Sequence, residues 1–177
     1  NGQRFEAESL LNRLNEDNPG ELDVVLRLVN ILNRSGRSKR ANELIEQTRG
    51  NDSSIRLEMA RGLMYLQGGD LKNAYETANR LVAQNPENVE FLNFQSAVLI
   101  KLGRAEEAQI AIKKVLATRA EFFEAQFNLA TTLKMMGQLG EAEEILKELL
   151  QKRAGHKEVK FMLGQIYATQ GRFDEAV

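Results

Sequence analysis

The chain has 177 residues, enough for one sizeable core, and its 42% hydrophobic and 28% charged residues are normal for a folded globular protein. A formal net charge of −1 supplies no overall basic field for nucleic acid or anionic membrane, no apolar run approaches the ~18 residues that cross a bilayer, and 2 prolines with 8 Phe, 3 Tyr and no Trp leave little material for an all-β fold. The absence of cysteine excludes disulfides and thiolate metal sites while leaving the compartment open, since cytoplasm and bacterial periplasm suit such a chain equally.

In chain order the sequence reads as one unit written several times. A glycine is followed five residues later by an alanine at Gly2/Ala7, Gly36/Ala41, Gly69/Ala74, Gly103/Ala108, Gly137/Ala142 and Gly171/Ala176. Successive glycines of this set lie 34, 33, 34, 34 and 34 residues apart, so six of the 13 glycines share one register. The register divides the chain into a half repeat (1–21), four complete repeats (22–54, 55–88, 89–122 and 123–156) and a partial repeat (157–177). Starting at Asn1 and stopping at Val177 within a helix start, the sequence is expected to be a piece of a longer protein.

Each repeat predicts two amphipathic helices. In 55–88 the first helix carries Leu57, Met64 and Tyr65 at helical spacing and is stopped at Gly68-Gly69-Asp70, because glycine enters the left-handed region without steric cost. The second runs through Ala74, Ala78, Leu81 and Val82 and ends at Asn85-Pro86, since proline cannot continue a helix interior. Two helices of about 12–14 residues with a short turn make an antiparallel hairpin. The small residues Gly62, Ser96, Ala130 and Gly164 and the turn-following alanines allow close helix approach, with Leu28, Leu99, Leu129 and Leu163 filling the seam.

A 34-residue unit with a small residue, an aromatic or leucine, Gly, Ala and a terminal Pro resembles the tetratricopeptide repeat. Gly62, Tyr65, Gly69, Ala74 and Pro86 fall on that pattern, as do Leu163, Gly164, Tyr167, Gly171, Phe173 and Ala176 near the end. The resemblance implies an all-α, right-handed superhelical solenoid of antiparallel helix pairs. Three features depart from it: no tryptophan opens any repeat, Arg61 and Gln95 stand where most repeats have leucine, and the repeat 22–54 is one residue short and ends in Asn51-Asp52-Ser53-Ser54. Looser packing or a local change of pitch is expected across the first two complete repeats.

Catalysis finds poor material. His156 is the only histidine and falls in a turn between repeats, where a solvated ring is the expected state. The paired acids Glu106/Glu107, Glu143/Glu144 and Asp174/Glu175 read as first-turn residues of second helices, where the helix dipole favours carboxylates. Arg34, Arg37, Lys39 and Arg40 form the densest basic group, read as a solvated turn. No glycine-rich phosphate loop is present, and neither a cofactor nor a metal site nor an enzymatic constellation is expected.

What the resemblance implies is protein binding, with first helices lining an inner groove. Carried over by register, the partner-binding positions are Asn30 and Arg34, then Met59 and Leu63, then Asn93, Phe94 and Lys101, then Phe127, Asn128, Thr131 and Lys134, and last Phe161 and Gln165. Exposed aromatic and methionine side chains on one face are a binding signature, and asparagine beside them suits a peptide backbone. A carboxylate clamp for acidic chaperone tails is not reproduced: its places hold Leu26, Asn30, Ala60, Glu90 and Phe94 in one window and Met59, Leu63, Phe94, Glu124 and Asn128 in the next. The expected role is an interaction scaffold for a peptide or helix, possessing no nucleic-acid partner or membrane insertion and belonging to a bacterial secretion or exopolysaccharide-export assembly. The alternative is a substrate-recruiting arm of a larger enzyme such as a glycosyltransferase. End-to-end self-association of the fragment is a further expectation.

Overall fold

The computed structural model describes residues 2–19, 21–49 and 55–175, and every regular element among them is helical. They fall into two compact units, 1–84 and 85–177. The first unit holds α1 (Gly2–Asp17), α2 (Leu22–Arg34), α3 (Ser38–Arg49), α4 (Ile55–Gly68) and α5 (Leu71–Gln84). The second holds α6 (Val89–Lys101), α7 (Ala105–Thr118), α8 (Phe123–Met135), α9 (Leu139–Lys152), α10 (Lys157–Thr169) and a 3-10 turn at Phe173–Glu175. In the first unit α2 pairs with α3 and α4 with α5, and α2 also lies against α4. The second repeats the plan: α6 pairs with α7, α8 with α9, and α6 lies against α8. The architecture is an all-α helical-repeat solenoid. Among the described residues no helix is long and apolar enough to cross a membrane.

Five turns have one construction. Gly36, Gly69, Gly103, Gly137 and Gly171 have φ of 73°, 78°, 76°, 78° and 74°, and no other described residue has positive φ. At each, the amide after the glycine donates to a carbonyl five residues back, for example Gln138 N to Leu133 O at 2.9 Å, while the glycine amide donates to the carbonyl three back, Gly137 N to Lys134 O at 3.1 Å. This double capture satisfies carbonyls left open at the helix end and reverses the chain. The glycine half of the repeating pair is thus a backbone requirement.

The alanine half is a packing requirement. Ala41, Ala74, Ala108 and Ala142 are all 0% exposed, pressed into the seam of their hairpins. Ala7 on α1 is exposed instead, and Ala176 lies outside the described residues. Gly62, Ser96 and Ala130 are buried opposite these alanines, as expected, whereas Gly164 is half-buried. One core gathers Val25, Leu28, Ile45 and Met64 in the first unit, another Leu146, Leu149, Val159 and Ile166 in the second. Helices α7 and α9 stop without proline, in a turn such as Phe122 N to Arg119 O at 3.1 Å.

At the leucine place of α4, the Arg61 side chain is 12% exposed and reaches Glu46 of α3 at 3.2 Å, with its Nε unpartnered. Its aliphatic stem substitutes for the leucine and its head remains at the edge. The expected irregularity at Asn51-Asp52-Ser53-Ser54 lies outside the described residues.

Among the ion pairs that join consecutive repeats, two occupy the same place in the register. Arg37 donates to both carboxylate oxygens of Glu8, and Arg172 donates to Glu143 at 2.7 Å, the carboxylate following the turn alanine in each case. Lys147 also reaches Glu143, and the Arg172 guanidinium lies 4.4 Å from the Tyr167 ring centroid. Glu143 was expected in a first helical turn, but α9 begins at Leu139 and places it one turn further in, where it is buried. The Arg172 hydrogen bond, then that from Lys147, holds its carboxyl below the ordinary glutamate range. A carboxyl depressed in the folded state stabilises the fold above its unfolded value and loses that contribution as pH falls through the folded one. The melting temperature should therefore drop as pH goes below about 4.5, and Glu143→Gln should flatten part of that drop while lowering stability at neutral pH. Parallel thermal melts of the two proteins between neutral and acid pH check this; parallel curves would refute it.

Candidate partner-binding face

In the second unit the first helices α6, α8 and α10 present neighbouring rows of side chains. Asn88 caps α6, its side chain accepting from Glu90 N at 3.0 Å and Phe91 N at 3.1 Å, which fixes where the row begins. From α8, Asn128 Nδ2 donates to Asn93 Oδ1 of α6 at 3.0 Å and to Ser96 Oγ at 3.2 Å. Thr131 Oγ1 donates to the Phe127 carbonyl at 2.9 Å and lies 3.7 Å from Met162 Sδ of α10. Lys134 Nζ donates to Gln165 Oε1. The contacts Thr131–Met162 and Lys134–Gln165 step by three residues on both helices, so α8 and α10 run parallel and in register.

Asn93, Phe127, Asn128, Thr131, Lys134 and Gln165 are therefore brought together, and Lys101 stands exposed at the end of α6. Phe161 is 69% exposed. Phe127 is half-buried and packs against the α8–α10 core, with its ring 6.3 Å from that of His156, so it serves packing as well as the face. Phe94 departs from expectation. It is 2% exposed and belongs to the core, because α6 buries Val89, Phe91, Leu92, Phe94, Ser96, Val98 and Leu99 and keeps little free surface.

In the first unit Asn30 and Arg34 of α2 are exposed, Met59 of α4 is half-buried and Leu63 is 39% exposed. Arg56 of α4 donates to Asp23 of α2 at 2.6 Å, tying these two first helices. No side-chain hydrogen bond comparable to Asn128–Asn93 links the four named positions among the described residues.

His156 is not the solvated turn residue expected. Its side chain is 28% exposed, its ring sits 4.8 Å from Phe123, and Nδ1 is 3.2 Å from a Glu158 carboxylate oxygen without hydrogen-bond geometry. Arg153 covers the Phe123 ring at 4.2 Å. The basic turn is also more engaged than expected, since Arg37 is held by Glu8 and Arg40 by Glu43 at 3.2 Å. Among the described residues no group of three or more His, Asp or Glu is placed to hold a metal ion.

Sequence reasoning missed Ser96 as the second acceptor of Asn128. It also missed the acids that open the first helices, Glu90, Glu124 and Glu158, whose signal is their shared place in three consecutive repeats.

Comparison with known proteins agrees with this construction. A tetratricopeptide repeat model matches residues 99–152 and 133–177, and a second matches 59–125. No curated protein matches the chain significantly. Among solved structures, a tetratricopeptide repeat protein from Parabacteroides merdae is 22% identical with a TM-score of 0.75, covering 99% of this chain and 70% of its own. TTC0263, a thermophilic TPR protein of Thermus thermophilus, is 23% identical with a TM-score of 0.76, covering 86% and 84%. YrrB, reported as a TPR protein with an unusual peptide-binding site, is 20% identical with a TM-score of 0.59, covering 94% and 87%. With its turn glycines and seam alanines recurring in one register under these matches, the chain belongs to the tetratricopeptide repeat family.

Proposed function

We propose that this chain is a protein–protein interaction scaffold that captures a partner segment on the first-helix face of its second unit. The observation that carries the proposal is the linked row of side chains across α6, α8 and α10: Asn128 held by Asn93 and Ser96, Thr131 against the half-buried Met162, and Lys134 on the exposed Gln165, with Phe161 exposed next to Met162 on α10. Polar groups fixed in place near apolar side chains gain by binding both through orientation and through apolar burial. The peptide-binding site reported for YrrB, on the same fold, is consistent with that use. The bacterial style of the repeat, as in the run from Gln170 to Ala176, favours an assembly factor for secretion or exopolysaccharide export.

The alternative, a recruiting arm of a larger enzyme, would be favoured by a ladder of asparagines. The place of Asn128 holds Arg27, Ala60, Phe94 and Met162 in the other repeats, so the scaffold reading is preferred. Self-association has Phe161 and Phe173, 69% and 68% exposed, in its favour, and would compete with partner binding.

An unbiased displayed peptide library tests the proposal. Peptides enriched on the wild-type chain should lose most of their binding to Phe161→Asp combined with Lys134→Glu, while the circular dichroism spectrum stays helical. Enriched peptides that bind the double variant as well as wild type would contradict it.

A further inference from the structure

The sulfur atoms of this chain are unequally placed. It has five methionines and no cysteine, so methionine is its readiest sulfur for oxidation. Met64 is 2% exposed in the core of the first unit, and Met59 and Met162 are half-buried. Met135 and Met136, adjacent at the end of α8, are 42% and 39% exposed.

These two are also out of pattern. The place of Met135 holds the exposed polar residues Arg34, Gln67, Lys101 and Thr169 in the other four first helices, and that of Met136 holds the exposed Ser35 and Gln170 in two of them. The stack therefore accommodates a polar side chain at both places. The turn is held by main chain: Met136 N donates to Thr132 O at 3.0 Å and Gly137 N to Lys134 O at 3.1 Å. Met135 stands on α8 where Lys101 stands on α6, and it directly follows the Lys134 that donates to Gln165. It thus borders the linked row of the first-helix face.

We infer that Met135 and Met136 form a reversible oxidation site through which a peroxide weakens capture on that face. The regulatory half rests on the binding reading above. The thioether sulfur attacks one oxygen of hydrogen peroxide, and the S–O bond forms as the O–O bond breaks. The departing hydroxide takes the proton left on the transferred oxygen, giving sulfoxide and water. Sulfur loses two electrons and the peroxide gains them. A flexible apolar side chain becomes polar, so covering it with an apolar group of a partner now carries a desolvation cost. The fold is untouched, because both places already take polar residues in other repeats.

The full chain is treated with dilute hydrogen peroxide and desalted, and the library-selected peptides are then added. Tandem mass spectrometry should find one oxygen on Met135 and one on Met136 before any on Met64. The helical circular dichroism and the melting midpoint should stay in place while peptide affinity falls about tenfold. Treatment with the two methionine sulfoxide reductases, one for each sulfoxide epimer, should restore it. Met135→Leu with Met136→Leu keeps side-chain volume and removes the oxidisable sulfurs, so peroxide should leave that variant's own affinity unchanged. An equal peroxide effect in the variant would move the sensor to Met59 or Met162 and overturn the inference. Oxidation of Met64 in step with the pair, or a fall in the melting midpoint, would equally overturn it by assigning the loss to the fold. Oxidised wild type that binds as tightly as reduced would overturn the regulation and leave face binding standing. If no peptide is captured in either state, the binding reading fails and the regulation with it.

Discussion

Leu146→Ala is expected to lower the unfolding free energy by about 2–5 kcal/mol. Leu146 is 0% exposed and sits one helical turn after Ala142, in a cluster that joins α8, α9 and α10 through Leu133, Val159 and Ile166. Truncation removes apolar transfer energy and leaves a cavity that three helices must close around. In a repeat array each hairpin draws stability from its neighbours, so the defect weakens the stack beyond α9. With a urea slope of about 1–3 kcal/mol/M, the midpoint should fall by roughly 1–2 M. Ile110→Ala on α7 is the control, since Ile110 is 61% exposed and should move the midpoint little. Equal shifts in the two variants would mean that the inward register of the second helices is misplaced.

Gly137→Val should cost about 1–3 kcal/mol, from the backbone alone. A Cβ at Gly137 would meet nothing within 4 Å, so no clash contributes. The cost comes from holding a β-branched residue at φ 78°, where its Cβ crowds the chain. Gly140→Ala is the informative contrast: Gly140 lies in the first turn of α9, a Cβ there also meets nothing within 4 Å, and alanine is the better helix former. It should be neutral or stabilising. Urea unfolding of the two variants separates conformational strain from space; a neutral Gly137→Val would refute the account of the repeated turn.

What the sequence made legible are requirements that are local and repeated. The left-handed turn and the seam each tolerate few residue types, so Gly36 through Gly171 and Ala41 through Ala142 stand out at a fixed period. The site was less legible. Phe94 looked like a face residue because its neighbours in sequence are, but α6 is packed by both α7 and α8 and turns most of its circumference inward. A helix apolar on nearly every side gives periodicity no open face to point to. The His156–Phe123 contact joins residues a repeat apart and has no local signature. The clasps lay between: Glu8 and Glu143 share one place in the repeat and Arg37 and Arg172 another, but charge at two turn positions becomes a pair only when consecutive repeats are stacked.

The most direct measurement of the central claim is site-specific photo-crosslinking. A benzophenone amino acid is placed at Phe161 on the first-helix face of one protein and at Ile110 on the second-helix surface of another, both positions exposed and both tolerant of a large apolar group. Each is irradiated with a library-selected peptide. Crosslinks at 161 and none at 110, suppressed by excess unlabelled peptide, are the predicted result. Competed crosslinks at 110 with none at 161 would contradict the assignment of the partner to the first-helix face.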